Sequence, residues 1–252
     1  MKILISILSL ITLFSCHNRS KIIFEENFDS KSLNEKVWNY ELGDGCPKLC
    51  GWGNNEPQIY TKENVKLEDG YLVITATKDS ANYYSGRITT KGKVEVQYGI
   101  IEVRAKLATG QGVWPAFWML GNDIDKNPWP KCGEIDVLEY VGREPHTIFT
   151  SLHTQDSHGE TINSRKTKID NIEEGFHTYK AHWTEESITF YVDDVEVYVF
   201  NPPVKNEDTW PFNKPFYLLA NLAVGGNFGG PDIDDTIFPQ EYIIDYIKVY
   251  KE

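Results

Sequence analysis

The chain has 252 residues, 13% of them aromatic, and a formal net charge of −12. That charge weighs against a nucleic-acid partner, which needs clustered Lys and Arg to neutralise phosphate, and less strongly against a highly sulfated polymer. The length supports one sizeable core with no compositional break, and 7 Trp with 14 Tyr suit both β-structure and a surface that grips flat sugar faces.

The first segment, "MKILISILSLITLFSC", has a positive start and an apolar run from Ile3 to Phe14 that is too short for a permanent membrane span. It reads as a secretory signal over residues 1–15. Leu13-Phe14-Ser15-Cys16 resembles a bacterial lipobox, so cleavage before Cys16 and lipidation of Cys16 are expected; an ordinary signal with an incidental cysteine is the alternative. Residues 16–21 would be a short tether and residues 22–252 one domain. The expected product is an exported lipoprotein of the outer membrane, on its periplasmic or cell-surface face, held there by the lipid. Removing Cys16 leaves Cys46, Cys50 and Cys132, an odd number for an oxidising compartment. Cys46 and Cys50 either close a small ring or remain thiols, and their spacing is a poor zinc signal.

Alternating runs recur along the rest of the chain, and helical periodicity is almost absent. "YLVITATK" (71–78) predicts a strand. "YGIIEVRAKL" (98–107) predicts another, with Ile101, Val103, Ala105 and Leu107 on one face and Glu102, Arg104 and Lys106 on the other. "SITFYVDDVEVYVF" (187–200) predicts a hairpin turning at Asp193-Asp194, and "PFYLLANLAV" and "YIIDYIKVY" predict late strands. So many short antiparallel strands point to an all-β, two-sheet antiparallel sandwich of jelly-roll type, with a closed barrel as runner-up. Gly, Asn and Pro gather at residues 50–58, 121–133 and 225–235, where loops would rim a cleft. The acids Asp232, Asp234 and Asp235 read as a solvated loop.

"GEIDVLEY" (133–140) carries Glu134, Asp136 and Glu139 in one β-like run. Strict alternation puts Glu134 and Asp136 on one face and Glu139 on the other. A bulge adding one residue near Val137 or Leu138 would return Glu139 to the shared face. Two carboxyl groups facing one groove are what glycoside hydrolysis needs, one to protonate the leaving oxygen and one to attack the sugar carbon or activate water. Retaining enzymes hold them about 5–5.5 Å apart, which two long Glu side chains could reach across roughly 13 Å of backbone. The shorter Asp136 between them can share a proton with a neighbour. The competing reading is three acids on the wet face of an amphipathic strand.

Glu-Ile-Asp-Val-Leu-Glu resembles the signature of glycoside hydrolase family 16, in the form with one extra residue before the last Glu. "GWGNNEPQIYT" (51–61), residues 85–121, "WPKCGEIDVLEYVG" (129–142) and "PFYLLANLAVGGNFGGP" (215–231) resemble laminarinase segments in the same order. The resemblance implies a concanavalin-like jelly roll with a concave substrate cleft and endo-β-1,3-glucanase activity. Mixed-linkage glucan or an algal galactan would be the alternative substrates, and a non-hydrolytic surface glycan-binding lipoprotein the alternative class. It further implies Glu134 as nucleophile, Asp136 as its assistant and Glu139 as general acid/base. Asn55, Arg87, Trp114, Trp118, Trp129 and His153 match positions that line sugar subsites. No cofactor for catalysis is implied, but a structural Ca2+ held by Glu26, the backbone of Gly70 and Asp245 is, in a monomer acting on polysaccharide. Pro57 and "SLHT" (151–154) depart from the family's common residues. Cys132 has the parity of Glu134 and is expected to face the cleft.

Overall fold

A computed structural model describes residues 21–251, so Cys16 and the signal segment lie outside the described residues. Among the described residues the strands in chain order are β1 (Ile22–Glu26), β2 (Asn39–Tyr40), β3 (Ile59–Tyr60), β4 (Val65–Glu68), β5 (Tyr71–Lys78), β6 (Tyr83–Ser85), β7 (Arg87–Thr89), β8 (Glu95–Val96) and β9 (Gly99–Lys106). They continue with β10 (Val113–Gly121), β11 (Glu134–Tyr140), β12 (Thr147–His153), β13 (Ser164–Lys168), β14 (His177–Trp183), β15 (Ile188–Val192), β16 (Val195–Phe200), β17 (Phe216–Val224) and β18 (Gln240–Tyr250). One sheet runs β16-β15-β14-β9-β18-β5-β6-β3, with β1 against β18 and β4 against β5. The other runs β13-β12-β11-β10-β17-β7-β2, with β8 against β17. Apart from the short parallel β3/β6 pair, neighbours are antiparallel, as expected for a jelly-roll sandwich rather than a closed barrel. No helix among the described residues is long and apolar enough to cross a membrane.

The alternating patterns account for the core. Ile101, Val103 and Ala105 of β9 and Phe117 and Met119 of β10 are fully buried between the sheets, beside Trp183, Phe190 and Phe216. Each large apolar side chain removed from water in this way contributes roughly 1.5–3 kcal/mol. The hairpin at Asp193-Asp194 turns as expected, with φ of 47° and 66°, the pair of positive values that a two-residue type I′ turn requires. Two expectations about polar residues change. Glu102 points away from the core yet is buried, because Lys180, Tyr246 and Tyr250 close over it. Asp235 is exposed but engaged, accepting a hydrogen bond from Tyr83 and facing Lys78 at 3.3 Å, while Asp234 caps Thr236.

Irregular register matters most at two places. On β18 the pairing with β9 shifts between Ile244 and Tyr246, so buried positions pass from Tyr242 and Ile244 to Ile247 and Val249. On β11, Phe117 pairs with Leu138 but the next residue, Trp118, pairs with Asp136, which leaves Val137 without an opposite number. The β12 register jumps at the same place, from Asp136↔Ser151 to Glu139↔Phe149. Ile135, Val137 and Leu138 all reach the core, and the extra residue reverses the parity of the strand beyond it.

Candidate active site

The bulge at Val137 sets Glu134, Asp136 and Glu139 on the outer face of the β10–β12 region. Across the neighbouring strands Leu120, Trp118 and Ala116 stand opposite them on β10, and His153, Ser151 and Phe149 on β12. Because β10 pairs with β17 without interruption, Trp114 and Trp118 share this face. Trp114 Nε1 donates to Glu139 Oε1 at 3.1 Å, and Ser151 Oγ donates to Glu139 Oε2 at 3.5 Å. His153 Nε2 lies 3.1 Å from Asp136 Oδ2 and 3.7 Å from Glu134 Oε1. Asp136 Oδ2 is buried with no aligned hydrogen-bond partner.

Three buried carboxyl groups on one face cannot all ionise cheaply. Burial, followed by the charge of Asp136, pushes Glu134 up to about 8. Burial also raises Asp136 to about 8 and, with Asp136 beside it, lifts Glu139 well above the usual carboxylate range. The site therefore retains protons at neutral pH and can place one on a leaving group. One ligand atom each from Glu134, Asp136 and His153 falls within 4.8 Å of the others, a spacing that could also hold a metal ion. Proton-sharing between the two carboxyls accounts for that closeness, and protons held there oppose cation binding.

The loops flank this face as expected. Asn55, at φ 55°, donates from its amide to Asn227 at 2.8 Å, joining the residue 50–58 loop to the 225–235 loop. Phe228 of the latter meets Trp114 and Phe149 edge-on, at 5.3 and 4.9 Å. Trp129, 42% exposed, stands 5.9 Å from the His153 ring and gives the face an open aromatic surface beside Glu134. Arg87 is buried between Trp52 and Trp118, with its guanidinium 4.4 and 5.0 Å from their rings, and is paired with Glu41. Trp114, Trp118, Trp129 and His153 thus stand beside the acids, whereas Arg87 meets the face through Trp118 and Asn55 meets the loop that carries Phe228.

Residues not singled out from the sequence complete the surroundings: Glu41, Trp52, Glu56, Tyr60, Ser151, Asn221 and Phe228. Part of the signal was present in "NNEPQIY", where Glu56, Gln58 and Tyr60 alternate and are all buried. Cys46 and Cys50 form a disulfide in the loop that carries Trp52. Cys132 corrects its expectation. It lies on the cleft side but is wholly buried against Leu120, Tyr217 and Leu219, and burial pushes its thiol up to about 12, so it offers no surface to a substrate.

The expected calcium ligands belong to the other sheet: Glu26 ends β1, Gly70 lies in the turn between β4 and β5, and Asp245 lies within β18. Glu26 on β1 accepts from Phe28 N and Trp38 Nε1. A side chain at Gly70 would come within 3.6 Å of Asp29 Oδ1, which places one carboxylate oxygen at that turn. The Asp245 carboxylate does not fit the set, being paired with Arg104. Its main chain stands outside the ladder with β9 at the β18 bulge.

Residues 53–248 match the family model described as glycosyl hydrolases family 16, and the chain belongs to that family. A crystal structure of a Flavobacterium laminarinase superposes with a TM-score of 0.90 at 61% identity, covering 92% of this chain and 100% of that one. Beta-glucanase of Rhodothermus marinus is 34% identical over 92% of this chain and 85% of its own length. Glucan endo-1,3-beta-glucosidase A1 of Niallia circulans is 38% identical over 92% of this chain, which spans 38% of that longer protein.

Proposed function

We propose that the chain is an endo-acting β-1,3-glucanase that hydrolyses laminarin-like glucans with retention of configuration. The observation that carries this reading is the Val137 bulge, which sets three proton-holding acids on one aromatic-flanked face. The names of its relatives support the substrate class.

In the proposed cycle Glu139 protonates the departing glycosidic oxygen while ionised Glu134 attacks the anomeric carbon and forms a glycosyl-enzyme ester. Asp136 takes the proton that Glu134 must give up, and His153 beside both carboxyls steadies the remaining charge. Glu139, now ionised, removes a proton from water, which cleaves the ester. Trp114 orients Glu139 through its indole N–H, and Trp129 offers a stacking surface to a sugar ring. Proton NMR of early hydrolysis products tests the stereochemistry. The β-anomer should appear first; initial α-anomer would sink the double displacement. Sizing the products from laminarin, lichenan and agarose tests the polymer, and release from agarose alone would overturn the glucan assignment.

Two further parts of the reading concern the ends and the edge of the fold. The lipobox-like segment supports a lipid anchor at Cys16 and an outer-membrane address, and we read the protein as a monomer. Incorporation of a fatty-acid label that survives Cys16→Ser would refute the anchor. The oxygen atoms near Glu26 and Gly70, with the freed main chain of Asp245, support a structural calcium ion. A Tm unchanged between chelator and millimolar calcium would refute it.

A further inference from the structure

Glu56 is 5% exposed and lies outside the catalytic trio, yet the polarity of the hydrogen bonds around it connects it to the cleft. The indole of Trp118 can only donate, and it does so to Asn221 Oδ1 at 2.7 Å. The amide of Asn221 must then turn its NH2 to the Tyr60 hydroxyl, at 3.2 Å. With its oxygen occupied, Tyr60 directs its own proton to Glu56 Oε2, also at 3.2 Å. A second chain ends at the same carboxylate. Val224 N–H, another donor-only group, occupies Gln58 Oε1, which leaves Gln58 Nε2 to donate to Glu56 Oε2 at 2.7 Å. Asn54 supplies a third donor, at 3.1 Å to Oε1. Glu56 is thus the acceptor in which both chains terminate, and by drawing the Tyr60 proton it leaves the Tyr60 oxygen free to accept from Asn221.

We infer that Glu56 is a positioning residue for substrate binding, acting through Tyr60 and Asn221 to hold the Trp118 ring against Arg87 on the cleft face. The inference rests on the glucanase reading for its substrate but not for its structural consequence. Trp118 has one polar atom, and this relay uses it. The ring packs on the Arg87 guanidinium at 5.0 Å, so a loosened indole also loosens the cation beside it. Neither Glu56 nor Tyr60 is among the groups assigned to the chemical step, so the effect belongs in KM rather than kcat.

The test compares wild type with Tyr60→Phe, which cuts the relay and leaves Glu56 two of its donors, and with Glu56→Leu, which removes the terminal acceptor. The Trp118 indole N–H resonance, identified by its loss in Trp118→Phe, should move and exchange faster with solvent in both variants. KM for laminarin should rise about 3- to 10-fold, as expected for one lost hydrogen bond, with kcat within about twofold of wild type. Should Glu56→Leu not fold, Tyr60→Phe decides alone. A Trp118 resonance that stays in place in Tyr60→Phe, or a fall in kcat at constant KM, would overturn the proposal. Wild-type protein inert on every glucan would sink the glucanase reading, and the indole signal would still decide the relay.

Discussion

Two glutamates, one on each sheet, are almost equally buried and differ in what surrounds them. Glu102 on β9 is 7% exposed and Glu139 on β11 is 8% exposed. Glu102 faces Lys180 at 2.8 Å and accepts from Tyr246 at 2.8 Å, so its charge is matched in place. Glu139 has an indole N–H, a distant hydroxyl and two more carboxyls on its face. Among the described residues, the basic side chain within 4.0 Å of the acids beside it is His153. Burial alone therefore does not mark a working acid. A buried carboxylate beside a cation holds the fold, whereas buried carboxyls without one retain protons that chemistry can use.

The sharpest break between the two regions is catalytic. Glu134→Gln should lower kcat by roughly 10³-fold or more, and Glu139→Gln by roughly 10²–10⁴-fold, measured as reducing-end release from laminarin with the fold intact by circular dichroism. Near wild-type turnover in Glu134→Gln would remove the distinction altogether. Next in size is the structural partner. Lys180→Met leaves Glu102 buried without its nearest cation and should cost about 2–4 kcal/mol in denaturant unfolding, with kcat/KM unchanged. An equal loss of activity would show that the sheet carrying β9 is not merely structural.

Two pH experiments sharpen the contrast further. Beyond the effect of burial, Asp136 raises the pKa of Glu134 through its charge and its hydrogen bond. Asp136→Asn should therefore move the acid limb of the kcat/KM profile to lower pH, and a limb that moves upward would contradict the shared-proton account. The last effect is on stability and is graded with pH. Glu134 rises from 4.5 to about 8 on folding, so between those values the native state holds a proton that the unfolded chain releases. Its contribution to stability is therefore present below pH 4.5 and declines as pH rises toward 8. Glu134→Gln removes that decline, so the difference in unfolding free energy should change by at most about 1.4 kcal/mol per pH unit, in favour of the variant as pH rises. A difference constant across that window would mean the side chain is not desolvated.

Much of the fold and the acid cluster itself were legible in the chain. Alternation located β9 and the Asp193-Asp194 hairpin, because side chains on a half-buried strand must alternate between core and water, whereas β17 showed as an apolar run buried on both faces. The acids were visible for a related reason, since carboxyls among Ile135, Val137 and Leu138 break the pattern that solvation alone would produce. The distinction between Glu102 and Glu139 was not legible. Glu102 read as an exposed strand residue, and its cover comes from Lys180 and Tyr246, distant in sequence. The same holds for Asp245, whose carboxylate is claimed by Arg104, and for Glu56, whose role depends on hydrogen bonds reaching Asn221.

By itself the sequence determined the periodicities, the turn chemistry and the family signature with its extra residue, all of which act through neighbours along the chain. Tertiary structure decided which carboxyls meet a cation, which way each amide faces and how strongly protons are held. Those properties depend on the dielectric and the partners that packing brings from remote segments, and local pattern carries no record of either.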